Sequence, residues 1–287
     1  MAPLTPSRRA FLATTGGLAL AGMVGWPRTA GAASPNRSNA LSALLVSNDL
    51  YVSSAPQRVA FVVYRGPTPA SGPTARLALA PPGSSRGEIV TAVPMKTGLP
   101  KNRGVYVVDA VLDRAGVYPG EVLTQGHRLP MSLEVKETPD APAIGAAASR
   151  APSPTPQSPL GVNPICTRQP ACPLHRVSLS DVIGAGRPVA VLFATPALCQ
   201  TRYCGPVLNE LLSVRAPFQD RVTFVHVEIY RTLTGGNEES PTVQAWNIPY
   251  EPFFFTVDGG GVIRGRLDSA FGRDEITPLL QALATPA

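Results

Sequence analysis

Apolar residues are distributed along the chain in three distinct ways. Between residues 40 and 137 they come in short runs, at 58–64, 75–80, 104–111 and 128–135, that are β-rich or alternate apolar with polar positions. Turn formers punctuate these runs at Gly66-Pro67, Pro81-Pro82-Gly83, Gly98-Leu99-Pro100 and Arg114-Ala115-Gly116. The pattern predicts about six or seven short strands packed as a small all-β sandwich. Residues 138–160 carry repeated Pro, Ala and Ser without an apolar period, which predicts an extended, semi-rigid linker between two domains.

From 161 to 287 the period switches repeatedly. The continuous apolar run Val189-Ala190-Val191-Leu192-Phe193 predicts a buried central strand. Val207, Leu208, Leu211 and Leu212 lie at helical spacing after Gly205, and residues 221–229 read as a second strand. Pro241 opens a short helix with Ser240 as its cap. Residues 253–257 and 262–267 flank the Asp258-Gly259 turn as a hairpin, and Ile276, Leu279, Leu280 and Leu283 form the stripe of a terminal helix. The predicted order is strand, helix, strand, helix, hairpin, helix.

The N-terminus sets the compartment in which the cysteines are read. Arg8-Arg9 precedes a Gly/Ala-rich apolar run and then Ala30-Gly31-Ala32, the pattern of a twin-arginine export signal occupying residues 1–32. The run is shorter than the roughly 20 residues of a spanning helix, so no transmembrane segment is expected once the signal is cleaved after Ala32. An uncleaved N-terminal anchor is the competing expectation. Cleavage removes three arginines, Arg8, Arg9 and Arg28, and no acid, and lowers the formal charge from +6 to +3. The remaining basic residues are scattered, so a nucleic-acid partner is not expected.

All four cysteines fall in the C-terminal part, and residues 40–137 hold a single histidine, His127, with no clustered carboxylates. Chemistry is therefore expected after the linker. Cys199 and Cys204 are separated by four residues, and Cys204 stands at the start of the predicted helix, where unpaired backbone N–H groups favour a thiolate. A loop-to-helix junction can bring two Cα atoms within disulfide range at this spacing, whereas a continuous helix cannot. Cys166 and Cys172 lie in a proline-bearing segment and are expected to form a structural disulfide. Two alternatives stay open: the pair relays electrons to Cys199 and Cys204, or it joins His175 in a metal site. A closed zinc site needs a fourth ligand, whereas sets of two cysteines and a histidine also suit copper.

Tyr203-Cys204-Gly205-Pro206-Val207, following a strand that ends in Phe193-Ala194-Thr195, resembles the Trp-Cys-Gly-Pro-Cys active-site motif of the thioredoxin-like superfamily. Val207 stands where the motif has its second cysteine, and Cys199 is the candidate replacement. Residues 246–255 resemble the family's approach to its cis-proline, which places Pro252 at that position. The resemblance implies an α/β thioredoxin-like fold for residues 161–287 and thiol–disulfide oxidoreductase activity through Cys199 and Cys204, beside Pro252. It implies no cofactor and no metal, with protein thiols or disulfides and an extracytoplasmic redox partner as the interacting species. Cys204 is expected to attack and Cys199 to resolve. The reverse stays open because residues 195–199 also resemble the strand-to-cysteine loop of peroxiredoxin-like and thioredoxin-like proteins. The strand pattern of residues 40–137 resembles the immunoglobulin-like modules of exported proteins.

Two other functions compete. Sco-type copper-delivery proteins also place two cysteines on this fold, with three residues between them instead of the four found here, and a later histidine. Here that histidine is His226, 22 residues after Cys204 in a predicted strand, where a packed structural role is the expectation. A non-catalytic binding module is the third reading, and fold alone does not separate the three.

Overall fold

A computed structural model describes residues 39–70, 72, 74–84, 87–95, 104–199, 202–234 and 238–285. The expected export signal, residues 1–32, lies outside them.

The first nine strands are β1 (Leu41–Leu45), β2 (Leu50–Tyr51), β3 (Ser53–Arg65), β4 (Thr68–Pro69), β5 (Ala75–Leu79), β6 (Glu88–Met95), β7 (Val105–Leu112), β8 (Gly116–Thr124) and β9 (His127–Lys136). They make one curled sheet in the order β1-β3-β7-β6-β5-β8-β9-β2, with β4 added beside β3. This differs from the expected two-sheet sandwich, because β6 serves both halves. Its residues 88–92 pair with β5 and its residues 93–95 pair with β7, so the hydrogen bonding is continuous around the curl. The β8–β9 hairpin closes through Gln125 and Gly126 at φ of 50° and 76°. Two left-handed residues match the strand twist, and glycine adopts the second without strain.

Strand β3 shows why the curl sits where it does. Val59, Phe61 and Val63 point into the curl with Tyr106, Leu77, Leu112 and Leu133, while Ala60 and Val62 pack the other way, against the C-terminal layer. Strand β7 divides its residues likewise, with Tyr106 and Val108 inside and Val105 and Val107 outside. Both strands are apolar on both faces because both faces are covered.

The C-terminal layer is a four-stranded sheet, β11-β10-β12-β13, built from β10 (Val189–Phe193), β11 (Thr223–Val227), β12 (Phe253–Val257) and β13 (Ile263–Asp268). Strand β11 is parallel to β10, and the other pairs are antiparallel. On one face, Ala190, Leu192 and Phe254 meet α2 (Cys204–Val214) and α4 (Arg273–Ala284). On the other, Val191, Phe193 and Phe255 pack with Trp246, with Leu179 of α1 (Leu179–Val182) and with Val243 of α3 (Pro241–Ala245). The Ser240 hydroxyl donates to the Glu228 carbonyl, 3.0 Å away, in place of the expected helix cap.

Residues 138–160, expected as a spacer, lie along this second face. Ala141 and Ala148 are buried in its core, Ala147 bridges to Val262, and Thr242 Oγ1 donates to the Pro152 carbonyl at 2.8 Å. The described residues belong to one compact unit. Two polar hubs tie its layers together. Asp49 accepts the backbone N–H groups of Asp140 and Ala141, both at 2.9 Å, and pairs with Arg266 and Lys136. Burial pushes its carboxyl up, but these donors outweigh burial and hold it below the usual carboxylate range. Arg58 of β3 reaches across to Glu275 (2.5 Å), the Ala270 carbonyl (2.6 Å) and Asp268 (3.5 Å).

Candidate functional site

Strand β10 ends at Phe193, and the loop that follows carries Cys199 back over the start of α2. Cys199 and Cys204 form a disulfide with their Cα atoms 6.0 Å apart. Cys204 is the first residue of α2 and is wholly buried, whereas Cys199 is only partly buried. The Cys204 backbone N–H, one of the donors that a helix start leaves without an intrahelical acceptor, points at Cys199 Sγ from 3.3 Å. The helix end therefore acts on Cys199 as well as on Cys204, which the sequence did not indicate.

The Glu251–Pro252 peptide bond is cis, at the proline placed by the resemblance. A Glu251 carboxylate oxygen lies within 4.8 Å of both Cys199 Sγ and Cys204 Sγ. Burial raises the Glu251 carboxyl to about 7, against the opposing effect of the Thr195 backbone N–H that it accepts. Glu251 was not singled out as chemistry by the sequence. Its position immediately before Pro252 was the available signal.

The second pair departs from expectation. Cys166 and Cys172 are both free thiols, so the expected structural disulfide is absent. Instead His175 and His226, 51 residues apart, come together beside them, and one donor atom from each of the four residues lies within 4.8 Å of the others. The sequence offered Cys166, Cys172 and His175 as a metal alternative but set His226 aside as a packed strand residue. His226 Nδ1 lies 3.4 Å from Cys172 Sγ, and among the described residues it groups with Cys166, Cys172 and His175, whereas Cys199 and Cys204 group with Glu251.

The two cysteine clusters are neighbours. Thr167, next to Cys166, donates its backbone N–H to Glu228 at 2.6 Å, and its hydroxyl accepts the Ala197 N–H at 3.2 Å in the Cys199 loop. Burial pushes the Glu228 carboxyl up to about 7 despite these bonds. His226 Nε2 lies 2.9 Å from the Ala194 carbonyl oxygen, and Thr195 supplies the N–H held by Glu251. A groove of about 490 Å³ between the layers, lined in part by Tyr51, Arg58, Arg266 and Asp268, contains none of the cysteines.

No protein-family model matches the chain, and no curated protein matches it. Among solved structures, a crystal structure of a thioredoxin-like superfamily protein is similar at 14% identity with a TM-score of 0.31. The match covers 39% of this chain and 88% of that one.

Proposed function

We propose that residues 161–287 form a thioredoxin-like thiol–disulfide oxidoreductase whose redox centre is Cys199–Cys204. The observation that carries this reading is the disulfide placed at the first residue of α2, with one partner partly exposed and a half-buried carboxyl beside it. The exposure favours the second of the two role assignments that the sequence left open. Cys204 has no exposed surface, so Cys199 is the thiol that meets a partner and Cys204 resolves.

In the reducing direction a partner thiolate attacks Cys199 Sγ, the Cys199–Cys204 bond breaks, and Cys204 leaves as a thiolate that takes a proton from Glu251. A second partner thiol then displaces Cys199 from the mixed disulfide. The partner ends as a disulfide and the protein as a dithiol, with two electrons and two protons transferred. In the opposite direction the Cys199 thiolate attacks a partner disulfide. The Cys204 N–H and the α2 terminus stabilise that thiolate, and Glu251 accepts the Cys204 proton as Cys204 closes the bond. A carboxyl raised to about 7 is suited to exchanging this proton near neutral pH.

Trapping tests the roles. Cys204→Ser should accumulate a mixed disulfide through Cys199, and Cys199→Ser should lose exchange with a model disulfide. Exchange at the wild-type rate in both variants would refute the oxidoreductase reading. The site acts outside the cytoplasm if residues 1–32 direct twin-arginine export, and lysine at positions 8 and 9 should then abolish export of the chain.

A further inference from the structure

We propose that Cys166, Cys172, His175 and His226 form a closed tetrahedral Zn²⁺ site that braces the loop before α1 against strand β11. The proposal concerns a centre separate from the Cys199–Cys204 disulfide and stands or falls independently of it.

Geometry carries the argument. With Zn–S near 2.3 Å and Zn–N near 2.0–2.1 Å, the ligand atoms of a tetrahedral site stand about 3.3–3.8 Å apart. Cys172 Sγ lies 3.4 Å from His175 Nε2 and 3.4 Å from His226 Nδ1, and the two imidazole nitrogens are 3.1 Å apart. Cys166 Sγ completes the set within 4.8 Å of the other three. Four protein ligands leave no open position, which is the arrangement of a structural rather than a catalytic zinc.

The surroundings hold two of the four ligands, His226 and Cys166, in the required form. A carbonyl oxygen can only accept, so His226 Nε2 carries the hydrogen that it gives to Ala194, and the Nδ1 lone pair is left facing the cluster. The Cys172 backbone N–H points at Cys166 Sγ from 3.2 Å, a contact that supports a thiolate ligand. All four side chains are buried, at 7% exposure or less. Two imidazoles and two thiolates suit a borderline-soft ion without a ligand-field preference, and burial opposes the exchange that a metal-delivery site requires. Binding releases the two thiol protons and involves no redox change.

The test uses the full chain purified anaerobically under thiol-reducing conditions. Metal analysis should find about one zinc per chain, and Co²⁺ exchanged into stripped protein should give tetrahedral d–d absorption with a thiolate charge-transfer band. Cys172→Ser and His226→Gln should lose the metal, whereas Cys199→Ser/Cys204→Ser should keep it. In case the cluster variants fail to fold, stripped wild-type protein is melted with and without Zn²⁺, and the ion should raise Tm in a concentration-dependent manner. Four outcomes would overturn the proposal: a Zn²⁺-independent Tm, a Cys166–Cys172 disulfide in peptide maps of exported protein, copper retained in preference to zinc, or metal that leaves with Cys199 and Cys204.

Discussion

Replacing Arg58 by methionine isolates the forces that join the curled sheet to the C-terminal layer. The guanidinium donates to both Glu275 carboxylate oxygens, at 2.5 and 3.0 Å, and to the Ala270 and Asp268 carbonyls at 2.6 and 3.2 Å. Its own side chain is 9% exposed, and those of Glu275 and Asp268 are 8% and 11% exposed. Methionine retains most of the stem's packing but leaves the Glu275 carboxylate buried without its partner. Asp268 is better placed, because the Tyr250 hydroxyl still donates to it at 2.5 Å. Breaking a buried pair from one side destabilises by about 3–5 kcal/mol, against about 0–1 kcal/mol for an exposed one. Urea unfolding at pH 7 should therefore show a single transition whose midpoint falls by the larger amount divided by the m-value. Arg58→Met/Glu275→Gln should recover part of the loss, since the orphaned charge is gone. A loss under about 1 kcal/mol, or no recovery in the double variant, would refute the role assigned to this bridge. Two separate transitions would refute the single cooperative unit.

Three further outcomes are expected. Glu251 binds a proton more tightly folded (about 7) than unfolded (about 4.5), so its contribution is full below pH 4.5 and is lost as pH rises towards 7; Glu251→Gln should flatten that decline by on the order of 1–3 kcal/mol in pH-dependent unfolding, and an unchanged profile would contradict the assignment. Gly259→Ala should cost about 1–3 kcal/mol, because a Cβ there would stand 2.3 Å from the Gly186 carbonyl oxygen; a neutral result in thermal denaturation would show that the turn yields freely. Trp246→Ala should cost about 3–5 kcal/mol by emptying the space between Phe193 and Phe255. Trp246→Phe should cost far less, because the indole N–H has no hydrogen-bond partner among the described residues; equal losses in the two variants would contradict this.

Elements whose environment is local were legible in the sequence. The all-apolar run 189–193 and the Asp258-Gly259 turn identified β10 and the β12–β13 hairpin, and the start of α2 was expected within one residue of Cys204. The apolar 59–63 run in β3 carried a second message that went unread. A strand alternating in-and-out would show polar residues at Ala60 and Val62, and their absence marks a second covered face. Residues 138–160 misled because small residues such as Ala141, Ala148 and Ser153 pack closely without any periodic signature. His226 was unreadable as a cluster member for a different reason. Its companions are 51 or more residues away, and what ties them together is a backbone bond from the His226 N–H to the Leu174 carbonyl, 2.9 Å, which holds β11 against the Cys172 loop.

The carbonyl held by His226 and the N–H held by Glu251 belong to one peptide group, that between Ala194 and Thr195. Because a peptide is planar and conjugated, the two bonds pull on opposite ends of a single rigid, polarisable plate. Charge on Glu251 draws density away from the N–H proton and makes the Ala194 oxygen a stronger acceptor, which tightens the grip on the imidazole hydrogen. Rotation of the plate releases both ends together. Deprotonating the carboxyl beside one pair of sulfurs is thus relayed, through two hydrogen bonds and one peptide group, to a histidine beside the other, whose Nδ1 becomes a stronger electron-pair donor.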